Sequence, residues 1–188
     1  MNLKTDDMKG KFGLIGTNIS HSKNPLLFKA AYSKYDFTFD LVDSPDFDDA
    51  MKKVTAMDLS GVNVTTPFKD KAYFAATKRD ILCNTIEASN LLLIKNGEIF
   101  AYNTDYYGVK DTLAHYNGSN VKTLIIGCGG AGRAAALAVK DLSHKVSIAN
   151  RTFDKADNYA RKIGATAISF SQAAGTLEEF DIIFNKLS

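Results

Sequence analysis

The chain has 188 residues, 45% of them hydrophobic and 23% charged, with a net charge of +2. Such a length and balance fit a soluble globular chain of one or two domains, and so small a net charge creates no field suited to nucleic acid or a membrane surface. Cys83 and Cys128 are isolated and the three histidines are scattered, so neither a disulfide framework nor a metal site is expected, and the thiols read as reduced in a cytosol. No apolar run reaches transmembrane length, because Arg133 interrupts the longest one. The polar opening Met1–Asp7 lacks the apolar core of a signal peptide. Residues 1–10 read as a polar extension of a cytoplasmic protein.

The first buried strand is predicted over Lys11–Gly16. A polar loop leads to Asn24-Pro25, which suits the cap and first position of a helix running to Tyr35. Phe37–Val42 alternates as a strand does, and Asp46–Met57 reads as a helix with an acidic first turn. A strand over Gly61–Thr65 stops at Pro67, followed by a short helix over Lys69–Thr77. Leu91–Lys95, Asn96-Gly97 and Glu98–Tyr102 predict a hairpin with a type I′ turn. A helix from Tyr106 to about Tyr116 follows. Asn117-Gly118-Ser119-Asn120 is the expected boundary, giving an α/β substrate domain over residues 11–117 and a second domain over residues 118–188.

That second domain carries its chemistry in its spacing. Val121–Ile126 is a branched apolar strand, Gly127-Cys128-Gly129-Gly130-Ala131-Gly132 follows it, and Arg133–Val139 opens a helix. This is G-x-G-x-x-G between strand and helix. Gly127 permits a tight turn, Gly129 lets a pyrophosphate reach the backbone, and Gly132 lets helix and strand pack closely. The helix start offers free N–H groups to the phosphates. The next strand, Lys145–Ala149, ends in Asn150-Arg151-Thr152, with Lys155 one turn later. A NAD site would place a carboxylate there; a guanidinium suits a 2′-phosphate, so the cofactor reads as NADP. Cys128 reads as small-residue packing under the turn. A helix over Phe153–Ile163 and strands over Ala165–Ile168 and Phe180–Phe184 complete one half, with the start of a second, of a doubly wound fold.

Three polar clusters stand at strand ends in the first domain: Ser20-His21-Ser22, Thr65–Lys69 and Asn103-Thr104-Asp105. Ligands of open α/β sheets bind outside the carboxyl ends of the strands, so these loops could meet at one crevice and hold a small polyhydroxylated substrate. Lys69 and Asp105 could then handle a proton. Each cluster also has an ordinary reading as a helix cap or a solvated side chain.

Beyond these local readings, the chain resembles the shikimate dehydrogenase family. Phe12–Gly16 with Ile19–Pro25 looks like its substrate loop, and Asn63–Lys69 is similar to its Asn-Val-Thr-x-Pro-Phe-Lys. Ala88-Ser89-Asn90, Asn103-Thr104-Asp105, Gly127–Ala131 and Asn150-Arg151-Thr152 follow in order. The resemblance implies reversible NADPH-dependent reduction of 3-dehydroshikimate to shikimate, in aromatic amino-acid synthesis through chorismate. It implies a pocket lined by Ser22, Thr65, Lys69, Asn90 and Asp105, with Lys69 and Asp105 as the catalytic pair. Lys69 would donate and accept the proton, or act by orienting and electrostatics. The enzyme would be a monomer or homodimer with a small-molecule substrate.

The pattern departs in places. Asn24 stands where the family has a second substrate-binding Ser, Asn18 replaces a Pro, and Leu91 a Thr, which leaves room for a shifted substrate such as quinate. The family's chains continue beyond this point through the nicotinamide half of the site. The resemblance therefore implies a C-terminally truncated member with weak or no turnover. A quinate/shikimate dehydrogenase of broader specificity and a non-catalytic shikimate- or NADP-binding module are the alternatives.

Overall fold

The computed structural model describes residues 9–186; the polar opening Met1–Asp7 and the last two residues lie outside them. The fold divides into two compact units after Asn103.

In the first unit, β1 (Lys9–Gly16), β2 (Asp36–Asp43), β3 (Gly61–Val64), β4 (Lys78–Arg79), β5 (Leu91–Lys95) and β6 (Glu98–Tyr102) form one sheet in the order β2-β1-β3-β5-β6-β4. β1 runs parallel to both β2 and β3, whereas β5 is antiparallel to β3 and β6. Helices α1 (Asn24–Ala31), α2 (Phe47–Ala56), α3 (Lys69–Ala75) and α4 (Ile81–Ile86) connect them. Ile15, Val54, Val62, Phe68 and Leu92 are buried in the core, each contributing about 1.5–3 kcal/mol by leaving water.

Local chemistry explains the elements that follow the sequence closely. Asp46 caps α2, its carboxylate accepting from the N–H groups of Asp48 and Asp49. The β5–β6 turn puts both Asn96 and Gly97 at positive φ, 53° and 75°, as a type I′ turn demands. Cys83 is buried, and that burial pushes its thiol up to about 11, which keeps it protonated and inert.

Elsewhere the structure corrects the sequence reading. β1 begins at Lys9, so the last residues of the expected extension belong to the sheet. α1 starts at Asn24 itself and ends at Ala31, with Lys23 in the cap position. The Asn24 N–H donates to the Ser22 hydroxyl at 3.2 Å, which leaves the serine as the local acceptor. β4, α4 and a later helix, Phe170–Gly175, have no counterpart among the expected elements. The units part after Asn103 rather than at Asn117–Asn120, because α5 (Asp105–Thr112) packs against α6 (Gly130–Asp141). The Tyr106 hydroxyl on α5 donates to Asp141 at the end of α6.

The second unit adds β7 (Lys122–Ile126), β8 (Lys145–Ala149), α7 (Phe153–Ile163), β9 (Thr166–Ile168), α8 (Phe170–Gly175) and β10 (Ile182–Asn185). Its sheet is wholly parallel, in the order β10-β7-β8-β9. That is the strand order of one half of a doubly wound dinucleotide fold with the next strand begun. β10 is an edge strand, and Ile183 on it is 46% exposed. His144 is buried between β7 and the turn Ala114–Tyr116. Its Nε2–H donates to the Tyr116 carbonyl at 2.7 Å, which leaves Nδ1 to accept from the Thr123 hydroxyl at 2.8 Å. Both ring nitrogens are thereby used in tying the chain together.

Candidate functional site

In the first unit, topology gathers the polar loops at one sheet edge. β1, β3 and β6 point the same way, so the loops following them share an edge, and the reversed β5 brings Asn90 there at its start. The Val64 N–H donates to the Asn90 carbonyl at 2.8 Å, and the Ser89 N–H to the Lys69 carbonyl at 2.9 Å. Thr65 is tied to β1 through the Ile15 carbonyl, at 3.0 Å. The Thr66–Pro67 peptide is cis. Ser89 is spent within the scaffold, its hydroxyl shared between the Leu91 and Tyr102 carbonyls.

The loop after β1 has an external fastening. Both Asp43 carboxylate oxygens accept from it, Oδ1 from the Asn18 N–H at 2.9 Å and Oδ2 from the Ile19 N–H at 3.0 Å. Asn18 sits at φ 56°, in the left-handed region that proline, fixed near −65°, never enters. A cavity of about 400 Å³ opens beside this loop, lined by Thr17, Ile19, His21, Ser22, Asn24 and Thr65 among others. Three of the residues expected to hold substrate therefore share one cavity: Ser22, Asn24 and Thr65. Lys69 and Asn90 lie on the same edge but outside that lining, at the start of α3 and just before β5; Lys69 is half-buried. Asp105 is the first residue of α5 in the second unit, half-buried, two residues beyond Asn103. Thr17 and His21 line the cavity too, and the sequence marks them only as members of the polar loop.

In the second unit the glycine-rich turn has the geometry its spacing predicts. Gly127 adopts φ 106°, open only to glycine in practice. A Cβ on Gly132 would lie 1.9 Å from the Gly127 carbonyl oxygen, so helix and turn touch there with no room for a side chain. A Cβ on Gly129 would meet nothing within 4 Å, and Gly129 is exposed. That open face, at the N-terminus of α6 with its free N–H groups, fits a pyrophosphate. Gly130 and Ala131 form the first turn of α6. Asn150 links this turn to the loop after β8. Its Oδ1 accepts from the Cys128 N–H at 3.1 Å and its Nδ2 donates to the Thr152 carbonyl at 2.9 Å. Arg151, Thr152 and Lys155 are exposed at the end of β8 and the start of α7. Cys128 is buried and its thiol donates to the Lys155 carbonyl at 3.4 Å, consistent with packing rather than reactivity.

Residues 14–92 match the shikimate dehydrogenase substrate binding domain, and residues 110–188 match the shikimate / quinate 5-dehydrogenase family. The chain belongs to the shikimate dehydrogenase family. It is 35% identical over 178 residues to a shikimate dehydrogenase (NADP(+)) of Halobacterium salinarum, covering 92% of this chain and 66% of the relative. It is also 35% identical to that of Ignicoccus hospitalis, over 93% of this chain and 67% of the other. The chain thus spans about two thirds of the length of these relatives. Among solved structures, shikimate dehydrogenase from Aquifex aeolicus superimposes with a TM-score of 0.85 at 26% identity, covering 96% of this chain and 69% of that one. The Thermus thermophilus shikimate 5-dehydrogenase in complex with NADP(H) and shikimate does so at 0.80 and 26%, with the same coverage. Within the described residues, no helix is long and apolar enough to cross a membrane, and no group of three or more His, Cys, Asp or Glu could hold a metal ion.

Proposed function

We propose that the chain carries the substrate-binding and NADP-binding elements of a shikimate dehydrogenase. The reaction is reversible reduction of 3-dehydroshikimate to shikimate with NADPH, within chorismate and aromatic amino-acid biosynthesis in the cytoplasm. The observation that carries this reading is the presence in one chain of a polar cavity at the carboxyl edge of the first sheet and, in the second unit, of a glycine-rich turn followed by Arg151 and Lys155. Membership of the family supports it.

In this scheme Ser22, Asn24, Thr65 and Asn90 hold the ring hydroxyls, while Lys69 and Asp105 are the catalytic pair. The nicotinamide supplies the hydride when the cofactor is bound. Lys69 gives its proton to the oxygen as the carbonyl is reduced and takes it back in the reverse direction, or acts by orienting and electrostatics, with Asp105 as its partner in the reaction. Gly127–Gly132 receive the pyrophosphate; Arg151 and Lys155, with Thr152, hold the 2′-phosphate. The acting form is a monomer or homodimer.

Lys69→Ala is expected to lower kcat on the order of 100-fold or more, the usual scale for a lost proton-transfer group, with a smaller change in KM. Turnover close to wild type with an unchanged pH profile would remove Lys69 from the chemistry. Since the polypeptide spans two thirds of its relatives' length, its own turnover without further chain is expected to be weak; robust activity from it alone would refute that part. The cofactor assignment has a separate test. Arg151→Ala should weaken NADPH by about 10-fold, as loss of one charge-assisted phosphate contact does, and leave NADH unaffected. Equal effects on the two nucleotides would mean that Arg151 does not read the 2′-phosphate.

A second reading is favoured by one observation. Asn24 borders the cavity where the resemblance leads to a serine, so a broader quinate/shikimate preference is the alternative. Comparing rates with the two substrates separates them.

A further inference from the structure

We infer that Arg133 is a positioning residue of the nucleotide site, bracing the glycine-rich turn and adding positive charge to the helix end that faces the pyrophosphate. The inference rests on the cofactor reading above and extends it to a residue that the G-x-G-x-x-G pattern does not specify.

A turn built from glycines has no side chains to stiffen it, and free glycine backbone is entropically costly to hold. Something else must fix the N–H directions before a phosphate arrives. Here the two peptide groups that flank Cys128 are each held. The Cys128 N–H donates to Asn150 Oδ1 at 3.1 Å, and its carbonyl accepts from the Arg133 guanidinium at 3.1 Å. A hydrogen bond from a charged donor is roughly twice as strong as a neutral one. Arg133 is itself anchored. Its N–H donates to the Gly129 carbonyl at 2.9 Å and its carbonyl accepts from the Tyr159 hydroxyl of α7 at 3.0 Å. The half-buried guanidinium therefore closes a short loop over the turn.

Its place on α6 points the same way. A cation near a helix N-terminus lies at the unfavourable end of the helix dipole, where carboxylates are the stabilising choice. The first turn of α6 has no acidic residue, and Arg133 is the fourth residue of the helix. The arrangement concentrates positive potential at Gly129–Gly132, a cost that a bound diphosphate would offset. Arg133 thus acts on the diphosphate that NADPH and NADH share, whereas Arg151 acts on the 2′-phosphate that only NADPH has.

The test compares Arg133→Met and Arg133→Lys with wild type in the full chain, using NADPH and NADH as probes in calorimetry. Arg133→Met should weaken both nucleotides by about the same factor, on the order of 10-fold, leaving their ratio unchanged. Arg133→Lys should recover part of the loss at low salt, because it restores the charge. Without nucleotide, hydrogen exchange of the amides at 127–132 should be faster in Arg133→Met, while the melting temperature changes little. Unchanged affinities for both nucleotides, or unchanged exchange in the turn, would overturn the inference. Wild type binding neither nucleotide would instead refute the cofactor reading, and the exchange measurement would still decide whether Arg133 braces the turn.

Discussion

Replacing Gly132 with alanine is expected to destabilise the nucleotide unit by about 3 kcal/mol or more, at or beyond the top of the usual range for overpacking. The added Cβ would stand 1.9 Å from the Gly127 carbonyl oxygen and 2.9 Å from its carbon. Both atoms are backbone, so no rotamer change relieves the clash. Either α6 moves off the turn or the turn itself deforms. The helix cannot move cheaply, because Ala134, Ala135, Ala136 and Ala138 are fully buried along it. The better helix propensity of alanine returns about 1 kcal/mol at most, too little to change the sign. For a unit of this size, thermal unfolding followed by circular dichroism should show a melting temperature lower by roughly 15 °C. A variant as stable as wild type would mean that helix and turn are not in contact at this point.

The same substitution three residues earlier should spare the fold and do the greater harm to binding. Gly129 has φ −80° and ψ −179°, extended backbone that any residue adopts, and its Cβ would meet nothing within 4 Å. Gly129→Ala should therefore fold normally, with a stability within about 1 kcal/mol of wild type, because the entropy saved in the unfolded chain is set against alanine's poorer fit at the N-cap position of α6 that Gly129 holds. In the proposed cofactor site, the empty space beside it is where the pyrophosphate comes against the backbone. A methyl there should weaken NADPH on the order of 100-fold, about 2.7 kcal/mol. Affinity would then fall in a variant whose stability hardly changes. Calorimetry showing wild-type affinity in Gly129→Ala would place the pyrophosphate elsewhere than on this turn.

The pair also shows which parts of the fold can be read locally. The β7–turn–α6–β8 segment is legible because each step is set by residues next to one another: branched strand, glycines, alanine-rich helix. The β5–β6 hairpin is legible for the same reason, through Asn96-Gly97. What escapes a sequence reading depends on partners distant in sequence or on small signals. α4 is six residues long and held at its start by the Asp80 carboxylate on the Cys83 N–H. α8 carries a complete capping box between Ser169 and Gln172, a signal present in the sequence but with little apolar content behind it. The assignment of α5 to the second unit comes from its packing on α6, which no local pattern encodes.

For the candidate site, the separate loops are legible as polar clusters at strand ends, but their common edge is not. That depends on β5 running against β3 and β6, which carries Asn90 to the side where Thr65 and Ser22 lie. Arg133 stays unassigned in the sequence because its significance is a direction, a guanidinium turned back onto the Cys128 carbonyl. Spacing carries no such information.

The fastening of the β1 loop by Asp43 has an evolutionary reach. A backbone route pinned by a carboxylate on the adjacent strand does not rely on the identity of the side chains it displays. Substitutions at Ser22 or Asn24 would then change the groups that line the cavity while the main chain keeps its course. Asn18 has less freedom, because its φ of 56° and its N–H donated to Asp43 are both closed to a proline.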